Sequence, residues 1–194
     1  EAWKNITDAV HDRGGQMFLQ LWHTGRASHS SFHGGQPAVA PSAIKINEEY
    51  IHTPEGKQPH EVPRALETAE IPRVVNDYRA AAERAKVAGF DGVEIHGANH
   101  YAVHQFFSPR ANQRTDSWGG TLAKRMSFPI AVARAVRDAL GPMLIAGFRV
   151  TPFEAEQEGY KLDDAKLLCD ELAGLGLDYI SISLDSYRLS RPTG

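Results

Sequence analysis

Three side chains that could stabilise and protonate a reaction intermediate lie close together in the middle of the chain. His96 ends the apolar segment 91–96, and Asn99 and Tyr101 follow it within five residues. A neutral imidazole and a carboxamide are hydrogen-bond donors suited to a developing oxyanion, and a phenol can supply a proton. The same spacing also fits a buried core histidine followed by a helix N-cap at Asn99. The local pattern leaves both interpretations open.

A second pair of candidates ends an earlier apolar segment. Gln20 and Trp22 lie near the end of the run 16–22, which has the length of a strand. Because side chains alternate along a strand, Gln20 and Trp22 share one face, as do Glu94 and His96. These large or polar side chains occupy positions where apolar ones are expected in the absence of a site.

A cationic candidate ends the third apolar segment. Arg149 lies near the end of 143–150 and would place a fixed positive charge there, suited to a phosphate, a carboxylate or an electron-rich ring. The alternative is a structural salt bridge from Arg149 to Glu154 or Asp185.

The chain is rich in histidine, which raises the question of a metal site. His100 and His104 are four residues apart, a spacing at which both can bind one ion from a helix. The His-Glu-x-x-His pattern is absent, however, and no third ligand stands at an obvious spacing. The sequence therefore predicts no metal site.

The candidates need a scaffold, and hydrophobic periodicity predicts helices alternating with strands. The predicted helices cover 2–13, 71–88, 99–107, 122–140 and 162–173, and the predicted strands cover 16–22, 91–96, 143–150 and 179–184. Such alternation is typical of parallel strands with crossover helices. Function then collects beyond the carboxyl ends of the strands. Residues 24–69 are predicted to form a long loop excursion with a small hairpin, and 108–120 an ordered loop stapled internally by Arg114 and Asp116.

Two parallel α/β architectures compete, an open doubly wound sheet and a (β/α)₈ TIM barrel. A Rossmann sheet would carry a glycine fingerprint after its first strand, whereas Trp22–Arg26 lacks that spacing. A barrel averages about 250 residues over eight strand–helix units, and only four strands are predicted in 194 residues. We therefore expect residues 1–194 to form one partial barrel domain with about four of the eight units.

Composition excludes several classes of protein. The 21 Lys and Arg residues against 24 Asp and Glu residues give a net charge of −3, which argues against a general nucleic-acid binder. No apolar run of about 18 residues is present, so no membrane span is predicted. The single cysteine, Cys169, is expected to be an inert core thiol, and its isolation suits a reducing, cytoplasmic location.

Several linked motifs, in the same order along the chain, resemble the old yellow enzyme family. The segments that carry the resemblance are Gln20–Arg26, Gly89–Asn99, Gln105–Pro109 and Asn112–Gly120. The resemblance covers nearly the whole chain and implies a (β/α)₈ barrel that binds FMN and uses NADPH or NADH. The reaction it implies is an ene-reductase reaction on a small-molecule enone or a similar electron-poor alkene. A homo-oligomer is compatible with this interpretation.

The resemblance also implies cofactor-binding roles, position by position. Gln20 resembles the residue that binds the flavin pyrimidine edge. Arg149 resembles the arginine beside flavin N1 and O2, where it would stabilise the reduced ring. Trp22 resembles the tryptophan that shapes the substrate pocket.

The catalytic roles implied by the resemblance fall on the first cluster. His96 and Asn99 resemble the pair that binds the substrate carbonyl oxygen or a phenol. Tyr101 resembles the proton donor to the α-carbon, while hydride comes from flavin N5. This agreement favours the oxyanion interpretation of His96 and Asn99 over the structural one.

Some positions depart from the family pattern, and two alternatives to the ene-reductase interpretation stay open. His100 stands where many relatives have glycine, Trp118 where tyrosine is common, and Thr121–Arg125 replaces a Glu-Asn-Arg stretch. The family's first strand and its phosphate-binding loops are expected to lie outside these 194 residues. The alternatives are a non-enzymatic or cofactor-free fragment and a relative of 2,4-dienoyl-CoA reductases, which would add a cysteine-rich iron–sulfur segment.

Overall fold

The computed structural model describes residues 1–47 and 50–184, which alternate between helices and strands. In chain order the elements are α1 (Ala2–His11), β1 (Phe18–Leu21), β2 (Val39–Ala40), β3 (Tyr50–Thr53), β4 (Gly56–Pro59), β5 (Arg64–Ala65), α2 (Ile71–Val87), β6 (Gly92–Gly97), α3 (Ala102–Phe107), α4 (Leu122–Leu140), β7 (Ile145–Val150), α5 (Leu162–Gly174) and β8 (Tyr179–Ile182). The long predicted strands and helices are thus confirmed, with ends shifted by a few residues.

The central element is a four-stranded parallel sheet with the order β1-β6-β7-β8. Among these four strands, each one pairs with the next in chain order, and helices connect β6 to β7 and β7 to β8. A doubly wound sheet reverses its strand order at a switch point, whereas a barrel adds strands in sequence. The order therefore favours the barrel over the open sheet.

The two faces of the sheet differ in character because side chains alternate along each strand. One face is apolar and packs against α2 and α4; its members include Val93, Ile95, Ala146, Phe148 and Val150, all at most 1% exposed. The other face corresponds to the interior of a barrel and carries the polar side chains. Burial of the first face holds the strands in register, and that register positions the second.

Local signals fix where the helices begin and end. A reciprocal capping box between Glu67 and Glu70 precedes α2, and Gly89 follows it with φ +83°. The helix predicted over 99–107 begins only at Ala102, because the preceding residues take a left-handed conformation. None of the helices in the described ranges combines the length and the apolar character needed to cross a membrane.

The connection between β1 and α2 is ordered by small sheets and by one arginine. Strands β3 and β4 form the expected antiparallel hairpin, and β2 pairs with β5. Arg114 donates to the backbone oxygens of Pro41 and Leu66 and to the carboxylate of Asp116. This confirms that Arg114 and Asp116 are internal staples. Cys169 is half-buried against the core, and burial raises the pKa of its thiol.

Candidate active site

The carboxyl ends of β1 and β6 open into a large cavity. Its volume is about 1410 Å³, and Trp22, Asn99 and Tyr101 line it. The β3–β4 hairpin also contributes to the lining through Tyr50 and Ile51. The predicted long excursion therefore covers this end of the sheet, where parallel α/β proteins place their sites.

Three aromatic rings pack together, and two of them, Trp22 and Tyr101, line this cavity. The ring centroids of Trp22 and Tyr101 are 4.8 Å apart and those of His96 and Tyr101 are 5.0 Å apart, both pairs edge-to-face. The centroids of Trp22 and His96 are 6.2 Å apart. Trp22 is 55% exposed and His96 is 8% exposed. Trp22 is therefore accessible to solvent, whereas His96 is buried. The sequence-predicted residues Trp22, His96 and Tyr101 are brought into one group.

The electrostatics of His96 make it a neutral hydrogen-bond donor. Burial lowers the pKa of the imidazole, and the nearby positive charge of Arg149 lowers it further. The Nδ1 atom of His96 accepts a hydrogen bond from the N–H of Ala98 at 3.3 Å. In a neutral imidazole whose Nδ1 accepts, the proton resides on Nε2. His96 can therefore donate from Nε2 without carrying a charge.

The backbone is strained where β6 leaves the sheet. Asn99 and His100 have φ values of +55° and +60°, and they are the non-glycine residues of the described ranges with positive φ. Such strain is held by neighbouring contacts: the Asn99 N–H donates to Thr151 Oγ1 at 3.1 Å, and Ser183 Oγ donates to Asn99 Oδ1 at 3.0 Å. Since α3 begins at Ala102, the interpretation of Asn99 as a helix N-cap is wrong.

The Asn99 carboxamide is partly committed within the fold. Its Nδ2 donates to the backbone oxygen of Leu184 at 3.0 Å. A carboxamide nitrogen carries two hydrogens, so one N–H is used here and the other is the candidate donor to a ligand. Asn99 and Tyr101 both line the cavity.

A carboxylate on the inner face of the sheet connects the two cofactor candidates. Glu94 Oε1 accepts hydrogen bonds from Gln20 Nε2 at 2.6 Å and from Arg149 Nε at 3.2 Å. Glu94 Oε2 accepts from the Tyr179 hydroxyl at 3.2 Å. Gly147 stands between Glu94 and Tyr179 in the register, and a Cβ there would lie 2.0 Å from the Tyr179 ring. The missing side chain lets Tyr179 reach the carboxylate.

These contacts test the alternative interpretation of Arg149, a structural salt bridge to Glu154 or Asp185. Within the described residues its carboxylate partner is Glu94, so the alternative of a salt bridge to Glu154 is wrong. Glu154 lies in another pair, because its Oε1 is 3.2 Å from His104 Nε2. Asp185, the other suggested partner, lies outside the described residues.

Some site residues could not have been assigned from the sequence. Glu94 carried one signal, a charge between two apolar residues of a buried strand. Tyr179 and Gly147 carried none, because their contact depends on cross-strand register. Glu154 is buried although it lies in an acidic stretch of 154–158 that is typical of a solvated loop.

Comparisons with known proteins identify the family of this chain. Residues 1–187 match the sequence pattern of the NADH:flavin oxidoreductase / NADH oxidase family. The chain is 43% identical over 167 residues to the putative 12-oxophytodienoate reductase-like protein 1 of Arabidopsis thaliana, covering 86% of this chain and 50% of that protein. It is 37% identical over 186 residues to the NADH:acrylate oxidoreductase of Vibrio harveyi, covering 94% and 18%.

A solved structure supports the same grouping. Morphinone reductase in complex with tetrahydroNAD superposes with a TM-score of 0.84 at 43% identity, covering 93% of this chain and 52% of that chain. The chain thus spans about half the length of that reductase and of the Arabidopsis relative.

The sequential parallel sheet and its polar inner face define a segment of a TIM barrel. The comparisons make the grouping specific: the chain belongs to the NADH:flavin oxidoreductase / NADH oxidase family, the old yellow enzyme family that its motifs resemble.

Proposed function

We propose that this chain supplies the substrate-binding half of an FMN-dependent NAD(P)H oxidoreductase that reduces the C=C bond of α,β-unsaturated carbonyl compounds. The observation that carries the proposal is the neutral His96, whose Nδ1 accepts from Ala98 and whose ring centroid lies 5.0 Å from that of the cavity residue Tyr101. The names of the relatives support the substrate class, since oxophytodienoate, acrylate and morphinone all pair an alkene with a carbonyl group.

The residues of the inner face fit a flavin. Gln20 offers a carboxamide and Arg149 a cation, and Glu94 holds both by hydrogen bonds to one oxygen. A flavin's pyrimidine edge presents both donors and acceptors, and reduction adds negative charge to the ring, which a cation stabilises. When bound, FMN supplies the hydride for the alkene after reduction by NAD(P)H. Gln20 and Arg149 are the residues of this chain that would hold it.

The remaining chemistry belongs to this chain's own side chains. His96 Nε2–H and the second N–H of Asn99 would bind the substrate carbonyl oxygen, where negative charge develops. Tyr101 would then protonate the α-carbon and recover its proton from solvent through the cavity. Trp22, at the exposed rim, would limit which substrates enter. A cytoplasmic location and a homo-oligomeric state belong to the same proposal.

A visible-absorption titration with FMN tests the cofactor part of this proposal. We expect flavin fluorescence quenching and a shifted flavin spectrum on mixing with the purified protein. A colourless protein without quenching would favour the alternative that the 194-residue chain is a cofactor-free fragment.

Two variants test the catalytic part in the flavin-loaded protein. His96→Ala should weaken binding of a phenol, since the donor to the phenolate oxygen is lost. Tyr101→Phe should slow enone reduction by about 100-fold, the scale of a lost general acid, and spare oxidation of NAD(P)H. Equal loss in both half-reactions would exclude Tyr101 as the proton donor.

A further inference from the structure

A second cluster of chemically active side chains lies behind the wall of the cavity. His100, His104 and Glu154 each offer one ligand atom, and these three atoms lie within 4.8 Å of one another. The sequence provided only the two histidines, because no third ligand stood at a recognisable spacing. The fold supplies it from the loop after β7, some 50 residues further along the chain.

The distances within the cluster suit one small cation. His104 Nε2 is 3.2 Å from Glu154 Oε1, and His100 Nδ1 is 3.7 Å from the same oxygen. The two imidazole centroids are 4.5 Å apart. Ligands at about 2.1 Å from a tetrahedral zinc ion are separated by about 3.4 Å, which lies between these two separations, and all three ligand atoms lie within 4.8 Å of one another. Small side-chain rotations would therefore close the three atoms around one ion.

The surroundings of the cluster resemble those of built metal sites. The side chains of His104 and Glu154 are 0% and 1% exposed. Ser108 Oγ donates to both carboxylate oxygens, at 2.7 and 2.9 Å, and the Tyr160 N–H donates to Oε2 at 3.3 Å. Hydrogen bonds of this kind orient a metal-binding carboxylate. His100 lines the cavity and its side chain is 32% exposed, which gives an ion a route from solvent.

We propose that His100, His104 and Glu154 form a binding site for a divalent transition-metal ion, with zinc the ion best matched to two imidazoles and one carboxylate. This site is independent of the proposed flavin chemistry, because Gln20 and Arg149 take no part in it. A bound ion would hold the strained turn at His100, next to Tyr101, against the loop after β7.

Neighbouring charges bear on the expected affinity. Glu154 interacts electrostatically with the guanidinium groups of Arg26 and Arg125, and both cations oppose a metal ion. Arg125 is engaged with the backbone oxygen of Phe107 at 2.9 Å. We therefore expect moderate binding, with a dissociation constant of about 1 μM, weaker than in a structural zinc finger.

The test is a metal titration of protein that carries no histidine tag and has been dialysed against a chelator. Zn²⁺ binding is followed by calorimetry and Co²⁺ binding by its visible absorption. We expect one ion per chain. His104→Gln and His100→Gly each remove a direct ligand and should weaken binding by at least about 100-fold, since loss of a supporting contact alone costs up to about 100-fold.

A matched control is available at another histidine–carboxylate pair. His11 Nε2 lies 2.9 Å from Asp91 Oδ2, without a third ligand in the described ranges, and His11→Gln should leave zinc binding unchanged. Failure of the native protein to bind Zn²⁺ below about 1 mM would overturn the proposal, as would equal affinity in His100→Gly. Glycine adopts the positive φ of position 100 without strain. His100→Gly therefore tests the metal site even if His104→Gln fails to fold.

Discussion

Glu94 is the residue at which the arrangement of the inner face can be tested most directly. Its carboxylate accepts hydrogen bonds from Gln20, Arg149 and Tyr179. In Glu94→Gln, the carboxamide oxygen can still accept from Gln20 and Arg149, while the new NH₂ group donates to the Tyr179 hydroxyl, which can also accept. The substitution therefore removes the charge and keeps the hydrogen bonds. Glu94→Ala removes both.

The expected loss of stability follows from burial and partners. The side chain of Glu94 is 14% exposed and that of Arg149 is 34% exposed. Hydrogen bonds to a charged group contribute about 1.5–3 kcal/mol each when desolvated, and water around Arg149 reduces this value. We expect the free energy of unfolding to fall by about 2–3 kcal/mol in Glu94→Ala and by about 1 kcal/mol in Glu94→Gln. For a chain of this size, Tm should drop by about 4–12 °C and 2–4 °C respectively.

Tyr179 provides a spectroscopic readout of the same charge. Burial, the negative charge of Glu94 and their hydrogen bond together raise the pKa of its hydroxyl to about 12. Without the charge in Glu94→Gln, the pKa should fall toward the ordinary value of 10.0. Phenolate absorbance followed against pH measures this change, and Tyr179→Phe identifies the contribution of Tyr179. An unchanged titration in Glu94→Gln would refute the assigned network.

Two further predictions concern the turn after β1 and the histidines. Gly25→Ala should destabilise the protein by about 2–4 kcal/mol, because φ is +60° and a Cβ would lie 2.1 Å from Gln105 Oε1. The control is Gly34→Ala, where φ is +61° and the space is open, and it should cost only about 1 kcal/mol. Equal losses of stability in urea unfolding would contradict the packing argument. Burial lowers the pKa of His96 and His23 below 6.5 in the folded state. As the pH falls, the unfolded chain therefore binds protons before the folded one does. The free energy of unfolding should decrease below about pH 6.5. His96→Gln should flatten that slope between pH 7 and pH 5.5, and a slope unaltered by the substitution would assign the effect elsewhere.

Much of the fold was predictable because local periodicity and tertiary burial agree. Val93 and Ile95 alternate with Glu94 and His96, and this alternation places one set against the helices and the other on the inner face. The predicted helix over 99–107 was wrong at its start. The strained conformation at Asn99 and His100 is held by Thr151 and Ser183, which come from other strand ends.

The grouping of the candidate residues was predictable where they are close in sequence or share a strand face. His96, Asn99 and Tyr101 lie within six residues, and the family resemblance implied the proposed roles of Gln20 and Arg149. Their partners were less accessible to sequence reasoning. The alternative of a structural salt bridge from Arg149 to Glu154 was wrong, because the sheet places the carboxylate of Glu94 3.2 Å from Arg149 Nε.

The sequence by itself determined the parallel α/β class, the family and the residue types available for chemistry, since these depend on patterns within single segments. The tertiary structure decided which polar side chains contact one another. Register brings Glu94 to Gln20, Arg149 and Tyr179, with Gly147 leaving the space for the tyrosine ring. Contacts of this kind join residues up to 85 positions apart, and only the packing of the strands against their helices fixes them.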